Sequence, residues 1–307
     1  MSGPRPGDEA AGTAGSARAP LRSADPPRVI DDVCTLALAR RVAALVDRAP
    51  DTLREGAPLP RGWHPAMFNV PTRQSQLRAD GAADLGVSLP DLGLPRLMIA
   101  SRTVDYVGHI PIGSRVRRES RSGDVREKTG RSGRFALVRV EHRVFVEGAA
   151  DPVLIEDLDY VLREAGPGPG SGAPAAPPPG PEAVRPAAAT PPPEPCDASR
   201  MLTPDEPLLF RYSAITDNPH RIHYDLRWAT EVEGYPALVV NGNVPAMFLL
   251  EMFRSLAARE PDRFEARNLA PMYCGRPLRL AVRRHDARWR LWATDAGGTV
   301  AYEAWVS

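Results

Sequence analysis

The segment Thr216-Asp-Asn-Pro-His-Arg-Ile-His-Tyr-Asp225 packs carboxylate, amide, guanidinium and imidazole groups into ten residues, and Asn241-Gly-Asn243 follows shortly after. His223 is the candidate general acid/base, because an ordinary imidazole exchanges protons near neutrality. Asn218 can orient a polar reactant but cannot share a proton as a carboxylate does, whereas the adjacent Asp217 can. Asp217-Asn218-Pro219 is equally ordinary turn sequence, so either residue could serve only to shape the loop. Arg221 could clamp an anion bidentately or brace the loop through Asp225 or Glu231. His220, His223 and Asp225 could be read as metal ligands, but histidines three apart on an irregular loop are weak evidence for ligation, and no metal is expected.

These groups need elements to hold them. Val244, Ala246, Met247, Phe248, Leu249, Leu250, Met252, Phe253 and Leu256 predict a helix that is apolar nearly all round, and therefore buried. Asn241-Gly242-Asn243 is placed to cap it, with Pro245 in the first turn where its missing N–H does no harm. Free amides at that end carry partial positive charge and suit a developing oxyanion. Strands are expected over Leu208–Ala214, 264–272, 277–284, Arg288–Thr294 and Val300–Val306, the last two joined at Gly297-Gly298. Before the helix, residues 138–146 alternate with period two, and 102–120 and 152–163 supply two or three further strands. The expected class is α+β, a double hot dog: two antiparallel sheets, each wrapped around a helix, paired within one chain.

Composition narrows the alternatives. The 307 residues carry 39 basic and 38 acidic groups, a net charge of +1, which leaves no global field for a polynucleotide. No run approaches the ~20 apolar residues of a membrane helix, so a cytoplasmic protein is expected. Cys34, Cys196 and Cys274 lack the spacing of a disulfide or zinc framework. Twelve of the 34 prolines fall between Ala165 and Pro195, and a segment so poor in core formers reads as a linker. The division is then a disordered tail over 1–27, an N-terminal hot dog over 28–164, a linker over 165–198 and a C-terminal catalytic hot dog over 199–307.

Residues 208–243, reading LFRYSAITDNPHRIHYD and EVEGYPALVVNGN around the loop, resemble the catalytic segment of the MaoC-like dehydratases, in the branch of the yeast-type 3-hydroxyacyl-thioester dehydratases and mesaconyl-C4-CoA hydratase. Leu94-Pro-Arg-Leu-Met98, Ile112-Gly-Ser-Arg-Val116 and Lys128-Thr-Gly-Arg-Ser-Gly133 resemble the branch's catalytically silent N-terminal half. The resemblance implies a cofactor-free hydratase or dehydratase interconverting 2-enoyl and 3-hydroxyacyl thioesters of coenzyme A or an acyl carrier protein, with homo-oligomerisation an option. It implies that His223 moves the proton, Asn218 with Asp217 holds water, and the Gly242 N–H steadies the thioester oxygen. Arg221, Asn241, Asn243 and Tyr235 are the expected substrate contacts.

The chain departs from that pattern. Asn241 and Asn243 replace a histidine and a proline around Gly242, Ser101-Arg102 replaces a glycine pair, and Trp63-His64 inverts a His-Trp pair. A repurposed biosynthetic enzyme, a thioesterase or a non-catalytic acyl-thioester binding protein are the competing readings.

Overall fold

The computed structural model describes residues 26–87, 89, 91–130, 133–164 and 194–307. The proposed tail and linker fall almost wholly outside them.

The N-terminal half contributes β1 (Arg28–Val33), β2 (Arg96–Tyr106), β3 (Arg115–Gly130), β4 (Gly133–Val146) and β5 (Leu154–Arg163), with helix α1 (Leu36–Leu45) after β1. The C-terminal half contributes β6 (Ala198–Leu202), α2 (Glu206–Ile215), α3 (Asn243–Ala257), β7 (Arg263–Asn268), β8 (Leu278–His285), β9 (Arg288–Thr294) and β10 (Val300–Val306). The strands form one antiparallel sheet in the order β1-β3-β4-β5-β2-β7-β10-β9-β8-β6. What reads in the sequence as two sheets is thus continuous, joined where β2 pairs with β7 from Ser101 opposite Arg267 to Asp105 opposite Arg263.

Helix α3 matches its apolar pattern. Val244, Phe248, Leu249, Leu250 and Phe253 are all buried, and the helix packs on β8 and β9. Full burial of such side chains contributes roughly 1.5–3 kcal/mol each. The β9–β10 hairpin forms as expected: the Asp295 carboxylate accepts from the Gly297 and Thr299 amides, and Gly298 takes the left-handed backbone the turn needs.

Two expectations fail. Leu208–Ala214 is not a strand but most of α2: Asp205 accepts from the Leu208 amide at 2.9 Å and Pro207 occupies the first turn. That is an N-terminal capping arrangement, and the residues that follow bury Leu209 and Tyr212, three apart, on one face. The N-terminal half also lacks a counterpart of α3 among the described residues. Its sheet is covered by irregular chain, with Leu85, Val87, Leu92 and Leu94 packed on Ala136, Val138, Val140 and Tyr160. Helix α1 packs instead against α2.

Candidate active site

His223 ends a short 3-10 turn, Arg221–His223, and is only 7% exposed. Its Nδ1 lies 2.7 Å from the Val239 carbonyl oxygen. A carbonyl only accepts, so Nδ1 carries the proton of the neutral ring and Nε2 presents a lone pair. The Val239 amide in turn donates to the Ile222 carbonyl at 2.9 Å. Both polar groups of one peptide residue therefore clamp the turn. From Val239 the chain runs three residues to Gly242, a span of at most about 10 Å. The same clamp thus holds His223 near the head of α3.

Burial pushes the His223 imidazole down to about 4, the Val239 bond opposing and His220 adding to the fall. The ring is uncharged at neutral pH and ready to accept a proton. His142 is pushed down to about 3, by burial and then by Arg118. In the unfolded chain both would titrate near 6.5. From about pH 6.5 down to those values the unfolded state binds protons that the fold refuses, so stability present above pH 6.5 falls as pH drops. Each group contributes a slope of about 1.4 kcal/mol per pH unit. Urea unfolding at pH 7.5, 6 and 5 should show this loss; equal stability at all three values would contradict the buried neutral state.

Gly242 is the residue just before α3, with φ −58° and ψ −18°, and its N–H has no acceptor among the described residues. A Cβ there would meet Asn268 Oδ1 at 2.5 Å, so its lack of a side chain serves close packing rather than unusual backbone. The cap differs from expectation in detail: the Asn241 side chain accepts from the Asn243 amide at 3.1 Å, and its carbonyl from the Val244 amide. Asn243, the first helical residue, sends its Oδ1 instead to Arg102 on β2, 2.7 Å away.

The loop residues divide into those near the imidazole and those that shape the loop. Asn218 Oδ1 accepts from the His220 amide at 3.2 Å, and the Asn218 amide donates to the Ser213 carbonyl. Asp217 is exposed in left-handed backbone, and no described hydrogen bond or ion pair links it to His223. Arg221 is occupied by Asp225, at 3.0 and 2.7 Å from Nε and Nη2, and stacks 3.9 Å from the Trp228 ring centroid. Asp225 also accepts from the Trp228 amide. Arg221 therefore braces the loop, as its pairing option anticipated. Tyr235 is half-buried, tilted against Tyr273 with centroids 6.5 Å apart.

Sequence reasoning missed the residues that hold the loop from the other half of the chain. The Arg221 amide donates to the Asp80 carbonyl at 2.8 Å, and His220, edge-on to His223 at 5.6 Å, has Nε2 3.9 Å from the Asp80 carboxylate. Gly81, at φ +83°, lies against the Pro219 carbonyl so closely that a Cβ would overlap it. No local pattern marks residues 78–81, because their partners lie about 140 positions away. Gly81→Ala should cost about 1–3 kcal/mol by combining left-handed strain with a backbone clash. It should also lower turnover at least several-fold; a thermal melt together with an activity assay checks both.

Between the halves lies a small, largely apolar cavity of about 10 Å³, lined by residues that include Trp63, Ala66, Tyr212, Thr216, Asn243 and Met247. It touches the His223 loop at Thr216 and the start of α3 at Asn243. Beside it, His64, Arg102, Tyr106, His142 and Glu156 form a buried polar cluster. Arg102 Nε is 2.9 Å and His64 Nε2 3.4 Å from Glu156 Oε1. His142 Nδ1 is 2.8 Å from Ser120 Oγ. No local pattern marks Glu156, Ser120 or Arg102 as neighbours of His64 and His142, because these contacts form only between assembled strands.

An antiparallel sheet holding a buried apolar helix is the frame of a hot-dog protein. Residues 62–274 match the family described as hydroxyacyl-thioester dehydratase type 2, and the chain belongs to that family. It is 36% identical over 279 residues to mesaconyl-C(4)-CoA hydratase of Chloroflexus aurantiacus, covering 91% of this chain and 94% of the relative. It is also 38% identical over 85 residues to the mitochondrial hydroxyacyl-thioester dehydratase type 2 of Schizosaccharomyces pombe, covering 27% of this chain and 28% of that protein. In fold it is similar to HtdX of Mycobacterium tuberculosis, with a TM-score of 0.60 at 18% identity over 91% of this chain and 99% of the other. The MaoC-like dehydratase of Phytophthora capsici gives a TM-score of 0.63 at 12% identity, covering 92% of this chain and 95% of the other. No helix among the described residues is long and apolar enough to cross a membrane.

Proposed function

We propose that the protein is a hydratase/dehydratase interconverting 2-enoyl and 3-hydroxyacyl thioesters, with His223 as its acid/base. The observation that carries this reading is the Nδ1–Val239 hydrogen bond, which leaves Nε2 as the acceptor and ties the ring to a residue only three positions before the unbonded Gly242 amide. In hydration, Nε2 takes a proton from water as the oxygen attacks Cβ. The π electrons move toward the thioester oxygen, where the Gly242 N–H steadies the charge. The resulting imidazolium, acidic because the site disfavours its charge, returns the proton to Cα. Dehydration runs the same steps backward.

Asn218 holds the water or the β-hydroxyl in this scheme, using the amide nitrogen left after its oxygen has closed the loop. Asp217, exposed, contributes to the turn. Asn241 sets the helix head, Asn243 and Tyr235 border the substrate, and Arg221 keeps the turn rigid. The carrier is coenzyme A or an acyl carrier protein. The architecture is a variant of the double hot dog built on one continuous sheet, with 199–307 the catalytic half around α3 and 28–164 a half without such a helix among the described residues or a catalytic loop of its own; the common sheet and the unequal covering of its two halves support this division.

The test follows enoyl-thioester absorbance with crotonyl-CoA, carboxylated enoyl-CoA esters and carrier-protein thioesters. Loss of absorbance with formation of the 3-hydroxyacyl thioester is expected. Release of free thiol with the enoyl group intact would indicate a thioesterase, and no reaction with any of them would indicate a binding protein.

A further inference from the structure

We propose that Arg102 is a positioning residue for the oxyanion site: held by Glu156, it fixes the head of α3 through Asn243 and so sets the direction of the Gly242 amide. The inference rests on the hydratase reading of the same site and deepens it, by assigning part of the active geometry to the N-terminal half of the chain.

The helix head has little of its own to fix it. Gly242 makes no side-chain cap, and the Asn241 side chain bonds only to the Asn243 amide, two residues away on the same segment. Two tethers from outside the segment come from β2. The Ile99 carbonyl accepts from Asn268 Nδ2 at 3.0 Å, and the Asn268 side chain lies against the Gly242 backbone. Arg102 Nη1 donates to Asn243 Oδ1 at 2.7 Å. Neighbouring Cα atoms are only about 3.8 Å apart, so both tethers grip the residues that carry the free amide.

The path of β2 makes the second tether possible. Along an unbroken strand, residues 99 and 102 face opposite sides of the sheet. Against β5, however, Ile99 stands opposite Tyr160 and Ser101 opposite Asp159, which leaves Ala100 as the extra residue of a bulge. Arg102 is thereby returned to the face on which Val104 and Tyr106 are buried, opposite Leu158 of β5 and Ala266 of β7. Re-aiming a side chain beside a functional site is a recurrent use of such bulges.

The Arg102 side chain keeps only 15% of its surface exposed, and its Nε is 2.9 Å from Glu156 Oε1. Packed apolar side chains in place of a buried ion pair stabilise a fold at least as well. What this pair adds is direction: the planar guanidinium, fixed at Nε by Glu156, aims Nη1 at the helix head. An oxyanion donor works by being in place before charge develops, so its tether affects the transition state more than the bound substrate.

The test uses the full chain and the thioester turned over fastest among crotonyl-CoA, fumaryl-CoA and the crotonyl carrier protein. Arg102→Met with Glu156→Gln, which leaves no unpaired charge, should lower kcat about 10-fold, a part of the about 100-fold that loss of an oxyanion donor costs. KM should change by less than about 2-fold. Adding Asn243→Ala should lower kcat by no more than about 2-fold further, because the two changes break one contact. A direct readout is the carbonyl infrared band of that thioester, labelled with 13C at the carbonyl carbon and bound to His223→Gln without turnover. The band should lie below its position in solution and move back toward it when Asn243→Ala is added to His223→Gln, a variant that keeps the buried ion pair and so serves even if the Arg102 variant does not fold. An unchanged kcat in the folded Arg102 variant, a fully additive loss with Asn243→Ala or an unmoved carbonyl band would overturn the positioning role and leave the hydratase reading standing. Turnover of none of the three thioesters by the unaltered protein would overturn both.

Discussion

Replacing His223 by alanine should lower kcat/KM by about 100-fold or more, the scale of a lost general acid/base. The ring is buried and bonded to Val239, so truncation also removes packing and one hydrogen bond, with an expected cost of about 1–3 kcal/mol. That loss lowers the melting temperature without unfolding the protein at 25 °C. His223→Gln separates the two effects. Its amide can still donate to Val239 but cannot carry a proton between water and carbon, so it should recover stability without recovering rate. Stopped assays on protein of verified melting temperature decide the matter; a normal rate in either variant would remove His223 from the mechanism.

The second large effect is expected at Gly242. A valine there keeps the permitted backbone, since φ is −58°, but places Cβ against Asn268 Oδ1 and Cγ, at 2.5 and 3.0 Å. Either the helix head shifts or Asn268 swings away and gives up its 3.0 Å bond to the Ile99 carbonyl. Displacing an oxyanion donor costs about 100-fold or more in kcat, so Gly242→Val should lose activity on that scale. Adding Asn268→Gly should restore part of it by opening the space. Full activity in Gly242→Val would show that the amide is not used, and no recovery in the double variant would show that the added side chain blocks the substrate itself.

Much of the fold was legible because it follows local pattern. Helix α3 announces itself by an apolar run too long and too uniform for a surface element, and the β9–β10 turn by Gly297-Gly298 preceded by Asp295. Helix α2 was misread because Leu208-Leu-Phe-Arg-Tyr is rich in residues that also favour strands, and the decisive signal, Asp205-Glu-Pro207, sits just before it. The covering of the N-terminal sheet by Leu85, Val87, Leu92 and Leu94 was not legible, since irregular chain has no period to detect.

The candidate site divides in the same way. His223 and Gly242 stand out by residue type and by the motif around them. That Arg102 and Asn243 touch could not be read from either, although both are departures from the related pattern. Their contact spans 141 positions and depends on β2 pairing with β7, a register fixed only by the assembled sheet. Asp80 and Gly81 belong to the same class: their role exists only once the two halves meet.

The most direct test of the proposed chemistry is a crystal structure with a bound 3-hydroxyacyl-CoA. The β-hydroxyl should lie about 3 Å from His223 Nε2 and the thioester oxygen about 3 Å from the Gly242 amide, the distances that proton transfer and oxyanion stabilisation require. A thioester bound elsewhere, or with its hydroxyl turned away from the imidazole, would contradict the assignment.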